Sequence, residues 1–205
     1  MTPANDLIQV SESLHFWQSY DASVKSDLCS TAVQTSDGFL LVDPISLQPK
    51  LLHQLIGTHA IAGIFVTNAN HCRAAAAFAE KFAAPIFAHS ATRAACELPA
   101  AREVNDGQML LANACAIEIQ GAAAGEMAIY HEQNGGSLIV GDALINFEPY
   151  GFTFLPRKYC SNAKEMRQSL HHLLDFHFER MLFAHGTPLM HSARKKLEEL
   201  LRRNE

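Results

Sequence analysis

Short apolar runs, which predict strands, alternate along this chain with stretches carrying an apolar residue every third or fourth position, which predict helices. The first third is strand-rich. Leu7 to Val10 and Leu14 to Ser19 are short and rich in β-formers or aromatics. Ser30 to Thr35 and Phe39 to Val42 flank Ser36-Asp37-Gly38, a hairpin signal with Asp-Gly at the turn. Asp43-Pro44 then stops the strand. Leu51, Leu52, Leu55 and Ile56 mark one face of a helix over Leu47 to Gly57, with Gly57 as its C-cap. The run Ile61 to Val66 predicts a buried strand, followed by a polar loop and a helix from about His71 to Phe82. Pro85 to Ala88 predicts a short strand, and Ala91 to Cys96 one or two helical turns.

The second half repeats this order more loosely. Ala114 to Gln120 reads as a strand, and Met127 to His131 and Ser137 to Val140 flank a second hairpin signal, Gln133-Asn134-Gly135-Gly136. Asn146 to Pro156 is aromatic, carries two prolines and a glycine, and predicts an irregular segment. Ala163 to Phe176 predicts a helix capped by Ser161 or Asn162, Arg180 to Ala184 a strand, and Met190 to Arg203 a terminal helix with Leu197, Leu200 and Leu201 on one face. The pattern predicts an α/β (α+β) protein with two sheets face to face and helices outside. At 205 residues the expectation is a single domain, 1–205.

Composition narrows the function classes. The net charge is -5, and the basic residues are dispersed apart from a C-terminal cluster interleaved with Glu198 and Glu199. That excludes a nucleic-acid stripe. No apolar stretch approaches membrane-span length, and Met1 to Asp6 has no basic region leading into an apolar core, so neither a membrane partner nor a signal peptide is expected. The five cysteines are an odd number without a C-x-x-C pair, which predicts free thiols and a cytoplasmic protein.

Candidate chemistry concentrates in Thr67-Asn68-Ala69-Asn70-His71-Cys72-Arg73, where two amides, an imidazole, a thiol and a guanidinium follow a buried strand. Loops at such strand ends are held by a rigid sheet and carry function in α/β proteins. His71 fits either a general base near a pocket or a capping or packed group at a helix start. The aromatic segment, with Phe147 and Tyr150, fits a pocket wall for a small-molecule ligand, buried core, or a patch between subunits of a homo-oligomer. No G-x-S-x-G context or phosphate-binding glycine loop is present.

Five places in order resemble the metallo-β-lactamase superfamily over roughly Leu14 to Leu189. Leu41-Val42-Asp43-Pro44 resembles an early V-D-x-G, and the loop from Thr67 stands where that family has T-H-x-H-x-D-H. Gly121 to Gly125 resembles G-H-T-P-G, Gly141-Asp142 a strand-end G-D, and His185-Gly186 the end of a closing G-H-G. The resemblance implies a four-layer αββα sandwich of two mixed β-sheets with a metal site at one edge, and a hydrolase if the chain is catalytic. Residue by residue, most ligands of the resembled site are replaced. Asn68, Asn70 and Ala122 stand at three histidine positions, Cys72 at the aspartate and Arg73 at a further histidine. Only Asp142 and His185 match. Amide oxygens are poor zinc ligands and a methyl offers none.

Two readings follow. In the preferred one the site holds no cofactor, Arg73 fills the vacated metal space and pairs with Asp142, and the protein is a degenerate homologue with a binding or structural role. In the other, Cys72, Asp142 and His185 hold a single zinc ion for hydrolysis of an ester, thioester or amide. The site residues expected are then His71, Arg73 and Asp142 for catalysis, with Asn68, Asn70, Phe147 and Tyr150 around the pocket.

Overall fold

The computed structural model describes residues 2–203; Met1, Asn204 and Glu205, at the two ends of the expected 1–205 domain, lie outside them. Strands β1 (Ile8–Ser11), β2 (Leu14–Asp21), β3 (Ser26–Thr35) and β4 (Gly38–Val42) run antiparallel in sequence order. Strands β5 (Ile61–Val66), β6 (Ile86–Ala88) and β7 (Arg102–Glu103) then add in parallel to complete a seven-stranded mixed sheet. The crossovers contain α1 (Pro49–Ile56), α2 (Ala75–Phe82) and the short α3 (Ser90–Ala95).

The second half folds the same way. Strands β8 (Met109–Leu110), β9 (Ala114–Glu118), β10 (Met127–His131) and β11 (Ser137–Val140) form an antiparallel meander. A hairpin of β12 (Leu144–Phe147) and β13 (Gly151–Phe154) follows, and then β14 (Arg180–Phe183) pairs with β11 in parallel. Helices α4 (Ala163–Leu170) and α5 (Ala193–Arg202) cover this sheet.

Alternation along the strands sorts the apolar residues into three cores. Phe16, Val33, Leu40, Val42 and Phe65 of the first sheet meet Met127, Ile129, Ile139 and Leu182 of the second between the sheets. Trp17, Phe39, Leu41, Ile64 and Val66 point outward under Leu52 and Leu55 of α1 and Phe78 of α2. Ala128, Leu138, Val140 and Phe183 point outward under Met166 of α4 and Leu197 and Leu201 of α5. Helix, sheet, sheet, helix is the four-layer sandwich expected. Gly63 is required where β5 crosses β6, since a Cβ there would lie 2.8 Å from Phe87 Cε2.

Three local expectations change. Helix α2 begins at Ala75, not near His71, because residues 68–73 are held by side-chain contacts and Arg73 has φ +36°. The segment expected to be irregular, Asn146 to Pro156, instead forms most of the β12–β13 hairpin. The helix from Ala163 is α-helical to Leu170 and continues as a 3-10 turn over His171–Asp175.

Candidate metal centre

Each sheet contributes one parallel pair, β4 with β5 and β11 with β14, and the carboxyl ends of all four strands meet at one edge of the sandwich. Asp43 leaves β4, Thr67 to Arg73 leave β5, Asp142 leaves β11 and His185 leaves β14. The strand ends fix these residues; the loop after β5 bends back over them.

His71 sits at the centre and is 1% exposed. Its Nδ1 lies 3.0 Å from Asp43 Oδ2 and 2.7 Å from Thr67 Oγ1. Asp43 is itself held by the Thr67 backbone N–H (2.8 Å) and hydroxyl (2.6 Å). On the other side, His71 Nε2 is 3.2 Å from Asp142 Oδ1. The approach lies off the hydrogen-bond direction, so this buried nitrogen has a charge contact but no hydrogen bond among the described residues. His185 Nε2 is 3.6 Å from the same Oδ1, and its Nδ1 lies 2.9 Å from the Asp27 carbonyl.

The other carboxylate oxygen, Asp142 Oδ2, accepts from Asn70 Nδ2 at 2.9 Å and Asn68 Nδ2 at 3.3 Å. Asn68 Nδ2 also donates to Glu126 Oε2 at 2.6 Å, and Glu126 Oε1 accepts from the Ala143 N–H at 3.0 Å. Glu126 is a buried acid that the sequence reading missed. Its signal was a lone carboxylate opening the apolar run Met127 to Tyr130. Together Asn68, Asn70 and Glu126 form a hydrogen-bonded layer behind Asp142.

Electrostatics follow from burial and proximity. Burial opposes charge on His71, but Asp142 and then Asp43 overcome it and raise its pKa to about 9. Burial likewise opposes ionisation of Asp142, and His71, then His185, hold it below the usual carboxylate range. His185 is pushed down to about 4 by burial and by the His71 charge. Burial, with the Asp142 charge, pushes Glu126 up to about 8. The cluster thus favours charge on Asp43, Asp142 and His71, while His185 and Glu126 are shifted toward their neutral forms.

Two expected roles are corrected. Cys72 does not join Asp142 and His185, because the loop turns its sulfur outward into a disulfide with Cys96. The expectation of five free thiols fails with it, leaving Cys29, Cys115 and Cys160 unpaired. Arg73 does not pair with Asp142. Its guanidinium donates to the carbonyls of Cys29 (2.5 Å), Asp43 (3.1 Å) and Ala184 (3.2 Å). It therefore ties β3 and β4 of one sheet to the end of β14 in the other. Among the other candidates, Asn70, Phe147 and Tyr150 line an open pocket of about 1040 Å³ that reaches His71, Asp142 and His185. Asn68 is fully buried beneath it. Lys158 and Tyr159, not singled out from sequence, also line it.

Residues that could hold a metal are His71, Asp142 and His185, whose ligand atoms lie within 4.8 Å of one another. Bonds of about 2.1 Å at tetrahedral angles separate donors by about 3.4 Å. Two of the three separations, 3.2 and 3.6 Å from Asp142 Oδ1, match that edge, and the third, between the imidazole nitrogens, is within 4.8 Å. Each histidine's far nitrogen is held by a carboxylate or a carbonyl, as ligating imidazoles require. His71 Nε2 is also one of the buried polar atoms without a hydrogen bond among the described residues. The residues present fit one ion.

The profile of the metallo-beta-lactamase superfamily matches residues 10–203. The chain belongs to the metallo-β-lactamase superfamily. Among solved structures it is similar to the DIM-1 metallo-beta-lactamase, at 14% identity, 98% coverage of each chain and a TM-score of 0.77. It is similar as well to a metallo-beta-lactamase from Erythrobacter litoralis with β-mercaptoethanol in the active site, at 13% identity, 96% of each chain and a TM-score of 0.77. A metallo-beta-lactamase family protein from Thermus thermophilus shares 18% identity over 96% of this chain and 80% of that one, with a TM-score of 0.67. Identities this low speak for the superfamily fold alone. No curated protein sequence matches the chain. No helix among the described residues of this superfamily member is long and apolar enough to cross a membrane.

Proposed function

We propose that this protein is a hydrolase of the metallo-β-lactamase type that works with a single divalent ion, zinc by family habit, on His71, Asp142 and His185. One observation carries the reading. Two imidazole Nε2 atoms converge on one carboxylate oxygen, at 3.2 and 3.6 Å, beside an open pocket. The chemistry such an ion supplies is Lewis-acid polarisation of a scissile bond and activation of water. The chain's own residues prepare the rest. Asp43 and Thr67 fix the His71 ring through Nδ1. Asn70 holds the outer carboxylate oxygen of Asp142. Phe147 and Tyr150, perpendicular rings 5.7 Å apart, offer an apolar wall to the substrate. An ester, thioester or amide of a small molecule is the substrate class proposed.

Elemental analysis of protein purified without chelator, with titration of the stripped protein, tests the reading. One equivalent of tightly held metal is expected, lost in His185→Ala. Two equivalents, or none after incubation with zinc, would overturn it.

A metal-free reading has its own support. The charges of His71 and Arg73 already offset those of Asp43 and Asp142, so the buried cluster is balanced without an ion. Under that reading the pocket binds a small molecule and does not hydrolyse it. Either way we propose no nucleic-acid or membrane partner, in keeping with the net charge of -5. Tyr150, 63% exposed, marks a surface through which a homo-oligomer could form. A cytoplasmic site of action is part of the same proposal, and the Cys72–Cys96 bond then bears directly on regulation.

A further inference from the structure

Cys72 lies between the two residues on which the site's geometry depends. His71, before it, reaches Asp43 and Asp142; Arg73, after it, reaches three carbonyls from both sheets. Both point inward while the Cys72 sulfur points outward to Cys96. Cys96 is the first residue beyond α3, and α3 is fastened to the other site loop through Thr92 Oγ1, which donates to the Gly125 carbonyl at 3.2 Å. The disulfide thus links the loop carrying His71 to the loop leading into Glu126.

From outside, that loop is held by the side-chain contacts of Asn68, Asn70, His71 and Arg73 and by two backbone bonds besides the disulfide. Ala69 N–H donates to Ala124 O at 3.1 Å and Ala74 N–H to Pro44 O at 3.0 Å. Within the loop, Asn70 N–H donates to Asn68 Oδ1 and His71 N–H to the Asn68 carbonyl. The backbone departs from the helical region at Arg73, with φ +36°, a conformation non-glycine residues hold only when their surroundings impose it. Both cysteines are half-buried residues.

We infer that the Cys72–Cys96 pair is a reversible thiol–disulfide site that sets the metal affinity of the His71/Asp142/His185 centre. The bridged form holds His71 in register; the dithiol form lets residues 68–73 move and weakens the centre. The reductant is a cellular dithiol. One of its thiolates attacks a sulfur of the bridge to give a mixed disulfide, and its second thiol displaces the protein sulfur. Cys72 and Cys96 gain two electrons and two protons, and the reductant closes its own disulfide. Cys72 is a positioning residue here, not a ligand. The inference rests on the single-metal reading, and its test separates the two.

Protein is compared in the bridged form and after reduction with a dithiol followed by anaerobic desalting. Cobalt(II) is titrated into each and followed by its ligand-field absorption. Amide hydrogen exchange over residues 68–75 is measured on both without metal. The expected result is at least tenfold weaker cobalt binding in the dithiol form, with faster exchange confined to that loop. Cys96→Ser should give the dithiol value with or without reductant; the reduced wild-type protein carries the test if that variant does not fold. Equal cobalt affinity in both forms overturns the inference and leaves the metal reading standing. No cobalt binding in either form overturns the metal reading and with it any control of affinity, while changed exchange still identifies the bridge as the clamp on the loop. Denatured, unreduced protein that alkylates at Cys72 and Cys96 overturns the bridge itself.

Discussion

Metal uptake at this centre should be a competition with one proton, and the structure says which. Of the three ligands, Asp142 is held below the usual carboxylate range and His185 is pushed down to about 4, so both are unprotonated at neutral pH. His71, raised to about 9 by Asp142 and Asp43, is not. A ligating imidazole must be neutral, so at pH 7 only about one molecule in a hundred is ready to bind, and apparent affinity should rise about tenfold per pH unit from 7 to 9. Above about pH 9 it should level off. Calorimetric titration of zinc into stripped protein, repeated at pH 7 in buffers of different ionisation enthalpy, counts the protons released. About one per ion is expected. An affinity flat between pH 7 and 9, or no proton released, would refute the assignment of His71 as a ligand.

The metal-free protein should lose stability as pH rises through the same range. Glu126 and His71 have folded-state pKa values above their ordinary ones, near 8 and 9 against 4.5 and 6.5, so the folded state binds more protons than the unfolded. Between about pH 4.5 and 6.5 the loss at Glu126 is offset by His185, lowered to about 4, so denaturant midpoints should fall mainly from about pH 6.5 to about pH 9, and Glu126→Gln should flatten the part below about pH 8. Asp142, lowered by His71, adds a loss on the acid side, below its ordinary 3.8. Arg73→Met should cost about 3–5 kcal/mol in chemical denaturation, because three carbonyls lose a buried cationic donor. Tyr150→Ala, at a position 63% exposed, should leave the melting temperature within a degree or two and change KM for any substrate more than kcat. Gly63→Ala should cost about 1–3 kcal/mol by driving a methyl into Phe87.

Much of the framework was readable in advance because strands and amphipathic helices have a period. The runs Phe39 to Val42, Ile61 to Val66, Met127 to His131 and Ser137 to Val140 became β4, β5, β10 and β11 with small changes at their ends. The segment around Phe147 and Tyr150 misled because proline and glycine read as irregularity, while the cross-strand pairing of Leu144 with Phe154 depends on neighbours outside the segment. Glu126 was passed over for a similar reason. A lone acid in an apolar run carries no sign of the Asn68 amide and Ala143 N–H that will satisfy it.

By itself the sequence determined which strands carry polar and ionisable groups at their ends. Only the tertiary structure decided which neighbour on the loop after β5 faces the centre. His71 turns inward to Asp43 and Asp142, Cys72 turns outward to Cys96, and Arg73 reaches backbone carbonyls of both sheets. The reason is geometric. A loop has no repeat to assign its side chains to faces, so their directions follow from backbone torsions, and those are set by partners that are distant in sequence and brought close by folding.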